Sequence, residues 1–248
     1  MAQSGVVAEV VARMQDRLDG MPPEVQHRAA FLGTYLRTTV AVGKAVDDGS
    51  FEDPDWVEHW DAAFAQLYLD AYDAELAGDS TVPRPWRLAF SAPAQLPALR
   101  HVLLGINAHV NYDLPQALLA VITDAEFGDA ALLARREADH QAIDGVLASR
   151  VGAEDDELAR LSGPPPLLDR LLRPFNRLGT QRFLREARVK VWANAITLSR
   201  ARRQGPDAYA ARLAQLEELS AAKVADLKAP GQVLLKLAAT GFGVRLPG

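Results

Sequence analysis

Asn107, His109, Asn111 and Asp113 occupy every second position of Asn107-Ala-His-Val-Asn-Tyr-Asp-Leu-Pro115. An apolar run, Val102-Leu-Leu-Gly-Ile106, precedes this segment, and another, Ala117-Leu-Leu-Ala-Val-Ile122, follows it. Burying a polar side chain without a partner costs about 1–3 kcal/mol, so a cluster of four requires partners, water or a ligand. On a helix, Asn107 and Asn111 share one face, and His109 and Asp113 share roughly the opposite one. A carboxylate on one imidazole nitrogen fixes the tautomer and makes the other nitrogen more basic, an arrangement suited to general acid–base catalysis. His109 and Asp113 are therefore the candidate catalytic pair, with Asn107, Asn111 and Tyr112 placed to hold polar groups of a substrate. The alternative is structural: the asparagines satisfy a broken backbone, and Asp113 caps a new helix at Leu114-Pro115.

Other polar residues fall on helical stripes that can face the same region. Arg28, Phe31, Tyr35 and Thr39 form one stripe, and Arg185, Arg188 and Trp192 another, with Asn194 nearby. An arginine on a core-facing stripe needs a carboxylate or an anionic ligand. Arg28, Tyr35, Arg188 and Trp192 thus join the candidate substrate-binding residues, and Asp61, Asp113 and Asp139 are the possible partners for the arginines. A second His-x-x-x-Asp pair, His140 and Asp144, repeats the spacing of His109 and Asp113. Imidazole plus carboxylate one turn apart suits zinc or iron, so a metal-dependent hydrolase using all four residues is a further alternative. Against it, the spacing arises easily by chance, and Arg135-Arg-Glu-Ala-Asp-His140 reads as a solvated helix face. Trp56, Trp60, Phe64, Tyr68 and Tyr72 recur every fourth residue, the mark of a core-facing row more than of a ligand platform.

The elements that must position these groups are helical nearly throughout. Ser4 can cap a first helix, which ends at Gly20. A second runs to about Val46 and stops at Asp47-Asp-Gly49, and Asp53-Pro-Asp-Trp56 opens a third that ends near Gly78. Four prolines break regular structure across 79–97. A central helix follows over about 98–112, apolar on all sides and hence buried. Another begins at Gly128-Asp129 and ends near Val151-Gly152. Gly163-Pro-Pro-Pro166 is the clearest linker. Beyond it the pattern predicts a short helix at 167–172, a long one at 180–203, and a further one at 207–228. No alternating strand pattern occurs. The expectation is one all-α domain spanning 1–248, a multi-helix orthogonal bundle, with the segments of 167–248 packed back on it.

Composition sets the outer limits. The chain has 248 residues, 49% of them hydrophobic, with no cysteine, which excludes disulfides and thiolate metal sites and fits a cytoplasmic protein. No apolar run is long enough for a spanning helix, and no secretory signal precedes the first helix. The net charge of −5 divides into −14 over residues 1–165 and +9 over 166–248, so the two parts are expected to pack together and neutralise each other. The overall acidity argues against nucleic acid as a partner. Phosphate loops, nucleophile elbows and HExxH zinc motifs are all missing. The apolar stretch Val233–Leu246, with only Lys236 and Arg245 charged, is expected to pack on its own domain, or else on a second subunit of a homodimer.

The Asn107–Pro115 segment, the aromatic row before it and the Arg185–Trp192 stretch after it resemble an all-helical bacterial family of unknown function of about this size. The resemblance spans residues 20–205 and implies a fold but no activity. From the residues themselves, the leading expectation is a metal-free isomerase, cyclase or hydrolase acting on a small, largely apolar molecule and needing no cofactor. A non-catalytic helical protein that binds a ligand or partner is the alternative.

Overall fold

The computed structural model describes residues 5–162 and 167–247, with side chains described outside 149–181, 183, 234, 235 and 238. The proline linker and the Ser4 cap lie outside the described residues. Among those described, the chain is all helical: α1 (Gly5–Asp19), α2 (Ala29–Asp47), α3 (Pro54–Leu76), α4 (Arg84–Phe90), α5 (Ala98–Ala108), α6 (Leu114–Val121), α7 (Ala130–Ser162), α8 (Leu167–Gln204), α9 (Pro206–Lys228) and α10 (Val233–Thr240). Asp53 caps α3 by accepting the Trp56 N–H at 3.1 Å, with Pro54 in the first helical position. Gly49 and Gly78 leave α2 and α3 in the left-handed conformation, with φ of 72° and 71°, which glycine adopts without a Cβ penalty.

Three boundaries differ from the sequence expectation. The proline-rich stretch 79–97 contains α4, because Pro85 sits in the first turn of that helix, where its missing N–H costs nothing. The two helices expected at 167–172 and 180–203 are one, α8, and α7 runs past Gly152 to Ser162. Gly152 and Pro174 lie inside these long helices, where local breaker signals misplace the ends.

The central helix is real but does not stop. α5 passes through a π-turn, His109–Asp113, directly into α6. The Leu114 N–H reaches back five residues to the His109 carbonyl. Pro115 supplies the cause: it has no N–H, and its ring would clash with the carbonyl of Asn111 in a regular α-helix. The expected Asp113 cap is absent, since its side chain makes no capping bond.

This continuous rod joins two apolar clusters. One gathers Met14, Leu32, Tyr68, Trp86 and Leu104; the other gathers Trp60, Leu114, Leu118, Val191, Leu198 and Leu216. Most of α5 is buried, although Leu99 remains 38% exposed. Gly105 admits α2 closely, because a Cβ there would overlap the Phe31 ring. The expected aromatic row is core, with Trp56, Trp60, Tyr68 and Tyr72 all buried.

The basic C-terminal part meets the acidic remainder through Arg202–Asp124 at 2.6 Å and Arg188–Asp144 at 2.9 Å. α9 packs against α4, α5 and α8. After α10, residues Gly241–Pro247 run as an extended strap on their own chain, burying Phe242 and Leu246.

Candidate functional site

The π-turn gathers the polar residues as their spacing requires. His109 Nδ1 lies 2.9 Å from Asp113 Oδ2, and the same oxygen accepts the Trp86 Nε1–H at 2.8 Å. Five rings enclose the imidazole. Phe64 stacks on it at 3.5 Å and 5°, and Tyr35 meets it edge-on at 4.5 Å; Trp86, Tyr68 and Phe31 lie within 6.1 Å. Burial pushes the His109 pKa well below 6.5 and the Asp113 pKa well above 3.8, the Trp86 bond opposing the latter. Both groups are thus held neutral, sharing one hydrogen bond. His109 Nε2 has no partner. Beside this ring cluster, Arg28, Phe31, Tyr68, Trp86 and His101 help to line a void of 20 Å³, and His109 is not in its wall. That is space for about one water, not for a substrate.

On the other face, Asn107 Nδ2 donates to the Leu103 carbonyl at 3.1 Å, and Asn111 Nδ2 donates to Asn107 Oδ1 at 3.1 Å. Asn111 also bonds the C-terminal strap, donating to the Phe242 carbonyl at 3.2 Å and accepting the Val244 N–H at 3.0 Å. The two asparagines are fully enclosed and hold backbone, not a cavity. Tyr112 is buried within the second cluster, beside Leu114 and Leu118 of α6.

The other candidates divide between two places. Arg28 closes the 3₁₀ turn Pro23–Arg28, 3.3 Å from Glu75 and 4.7 Å above the Phe90 ring. Its partner is therefore none of Asp61, Asp113 or Asp139. Asp139 instead accepts the N–H groups of Glu52 and Asp53 at 2.7 and 2.9 Å. Tyr35 faces His109, and its hydroxyl, the Thr39 hydroxyl and Asp61 Oδ2 have no hydrogen-bond partner. Burial raises the Asp61 pKa to about 7.

Arg188 and Trp192 sit elsewhere, in a cleft of 430 Å³ between α7 and α8 that His140, Asp144 and Arg185 also line. His140 is not on a solvated face, as the charged run before it suggested: it is 1% exposed and lies 5.3 Å from both Trp60 and Trp192. Arg136 and Asp139 of the same run are also buried, because α7 turns this face inward against α3. Arg188 is 5% exposed, with its guanidinium 5.8 Å above the Trp60 ring. Its Nε lies 2.9 Å from Asp144 Oδ1, close enough for an ion pair but outside hydrogen-bond geometry, and Arg185 Nε meets Asp144 Oδ2 at 3.3 Å. Arg188 Nη2 and His140 Nε2 are buried without partners. Burial lowers the Arg188 pKa to about 10 against the pull of Asp144, and lowers that of His140 well below 6.5 with help from Arg188.

The two His-x-x-x-Asp pairs do not form one metal-ligand set. His109 belongs to the Phe64–Tyr35–Trp86 ring cluster and His140 to the Trp60–Trp192 pair, while Asp144 is taken by two arginines. Among the described residues, no three His, Cys, Asp or Glu side chains converge as a metal would require. Trp86 and Asn194 have roles that the sequence did not assign. The signal for Trp86 was a large aromatic inside an apparent loop; Asn194 stood close to the Arg185–Trp192 stripe.

A family model matches residues 7–230, almost the whole helical body. The chain belongs to DUF5995, a family of unknown function. No curated protein matches it, and no solved structure does. The match bears out the resemblance to a family of unknown function and supplies no activity. Among the described residues of this DUF5995 chain, no helix is long and apolar enough to cross a membrane.

Proposed function

We propose that this DUF5995 chain binds a small oxyanion-bearing molecule, a carboxylate or phosphate with a flat apolar body, in the cleft between α7 and α8. The observation that carries this reading is the largely buried Arg188 guanidinium, whose Nη2 lacks a partner, in the same cleft wall as His140, whose Nε2 also lacks one. A buried charge is costly unless paired and hydrogen-bonded. Asp144 is shared with Arg185 and leaves part of the guanidinium unserved. A bidentate oxyanion matches the planar donor fork of arginine. His140 stands in the same wall, and Trp192 and the 61% exposed Val189 offer apolar area. The cavity lies within the usual range for small-molecule sites, about 300–1,000 Å³.

His109 lines neither the 20 Å³ void nor the 430 Å³ cleft, so we place any proton transfer at His140 instead. His140 lines the cleft, and burial lowers its pKa below 6.5, which favours the uncharged imidazole. The test is native mass spectrometry of the purified protein after incubation with a metabolite extract, followed by calorimetry on the captured acids. Wild type should hold a small anion that Arg188→Met loses, with Asn107→Ala, on the strap-side face, unaffected. Turnover of that molecule by wild type and not by His140→Gln would add the catalytic step. Capture that survives Arg188→Met in a folded variant, or an extract that yields no anion, overturns the proposal.

A further inference from the structure

The hydrogen bonds that hold the strap Gly241–Pro247 are made through its backbone. Asn111 takes the Phe242 carbonyl and the Val244 N–H, and two residues further on Asn194 repeats the grip. Its Nδ2 donates to the Val244 carbonyl at 3.0 Å, and its Oδ1 accepts the Leu246 N–H at 2.9 Å. A side-chain amide carries an acceptor and a donor side by side, so each asparagine reproduces the edge of a neighbouring strand. Glu186 Oε2 accepts the N–H groups of Phe242 and Gly243 at 3.1 and 3.3 Å, and Lys190 Nζ donates to the Gly243 carbonyl at 3.0 Å.

Two side chains of the strap, Phe242 and Leu246, enter the apolar clusters, while Arg245 points to solvent. Gly243 is obligatory, because a Cβ there would stand 2.6 Å from the Ala187 Cα. Main-chain bonds for affinity and alternate side-chain pockets for specificity are the pattern of extended-peptide recognition. All four gripping residues lie inside the family match, which ends at 230, and the strap lies beyond it. Between body and strap stand the loop Ala229–Gln232, in which Gly231 has a φ of 130°, and α10, whose Leu237 is buried in the first cluster.

We infer that the groove between the π-turn and α8 is a peptide-binding site, selective for extended segments of the form aromatic-Gly-x-x-Leu. Its occupant here is the chain's own strap, held in cis and exchangeable for the same sequence in trans. The tether gives the strap a high effective concentration, so a free peptide competes only after the tether is cut.

The experiment inserts a protease site in the Ala229–Gln232 loop of the full chain, which folds intact and is then cut. A fluorescent peptide of residues 233–248, which carries α10 and the strap as the cut fragment does, is added and followed by anisotropy. The cut protein should bind it saturably at one to one, and the uncut protein should not. The peptide carrying Gly243→Ala should bind about ten-fold weaker or worse, as expected for forcing a methyl group into close-packed atoms. Equal binding of the Gly243→Ala peptide, equal binding to cut and uncut protein, or a cut fragment that no peptide displaces would each overturn the inference. Should the cut protein precipitate, hydrogen exchange on the intact chain decides. The Val244 and Leu246 amides should exchange at least ten-fold faster than those of Val102–Ile106, reporting a strap that opens by itself; equal protection makes the strap a part of the core and refutes its being a ligand.

Discussion

Replacing Asp113 separates a neutral structural pin from a charged pair. Asp113 Oδ2 serves both the Trp86 Nε1–H and His109 Nδ1, at 2.8 and 2.9 Å. Asp113→Leu strips both groups of their partner in a site closed to water, and each unpaired buried group costs about 1–3 kcal/mol, so the loss should be about 4 kcal/mol. Asp113→Asn keeps an oxygen in the same place: Trp86 still donates to it, and neutral His109 turns to its Nδ1–H tautomer and donates as well. The remaining penalty is an unserved amide NH₂, about 1–2 kcal/mol.

The two proteins also differ in pH dependence. The folded-state pKa of Asp113 is raised above the 3.8 of the unfolded chain. Its contribution is therefore fully present below 3.8 and is lost as pH rises toward the folded value, at about 1.4 kcal/mol per pH unit. Asparagine does not titrate, so Asp113→Asn should gain on wild type by about that slope as pH rises above 3.8 toward the folded value. Urea unfolding at pH 5, 6 and 7, followed by far-UV circular dichroism, measures both effects. A loss above about 3 kcal/mol in Asp113→Asn with no pH dependence would refute the reasoning, for that is the cost of breaking a buried ion pair.

Two further outcomes follow from the geometry. His140 has a folded pKa depressed below 6.5, so wild type should lose stability relative to His140→Gln as pH falls below 6.5, by about 1.4 kcal/mol per unit; parallel acid limbs in urea titrations would contradict this. Gly105→Ala places a methyl group inside the Phe31 ring and should destabilise by about 1–3 kcal/mol despite the better helix propensity of alanine, with partial rescue by Phe31→Leu; a thermal melt unchanged from wild type would show that α2 and α5 can part.

The fold was legible because its signals are periodic and local. Asp53-Pro54 opens α3, Gly49 and Gly78 close α2 and α3, and the apolar surround of 98–112 marks the central helix. The same local logic failed where long-range packing decides. Four prolines concealed α4, whose Trp86 is buried and bonds Asp113. The charged run Arg135–His140 read as solvated because its partners, Asp53 for Arg136 and two backbone N–H groups for Asp139, lie more than eighty residues away. The i, i+4 pairing of His109 with Asp113 and of Asn107 with Asn111 was readable. That Asn111 would grip residues 131 and 133 positions downstream was not, since nothing in the spacing points there.

The density of polar groups at 107–113 and their burial have one explanation. Pro115 forces a wide turn into a buried helix, and a wide turn disturbs backbone bonding where no water can repair it. Asp113 and His109 answer on one face by tying the turn to Trp86, and Asn107 and Asn111 answer on the other by tying it to α5 and the strap. α8 then receives the strap along Glu186, Lys190 and Asn194, while Arg185, Arg188 and Trp192, one to three positions away on the same turns, line the open cleft. The polar run thus fixes one side of α8, and the proposed anion site stands on the other. Chemistry at Arg188 and His140 should accordingly respond to changes at Asn111 through the position of α8, and not through any contact between the two sites.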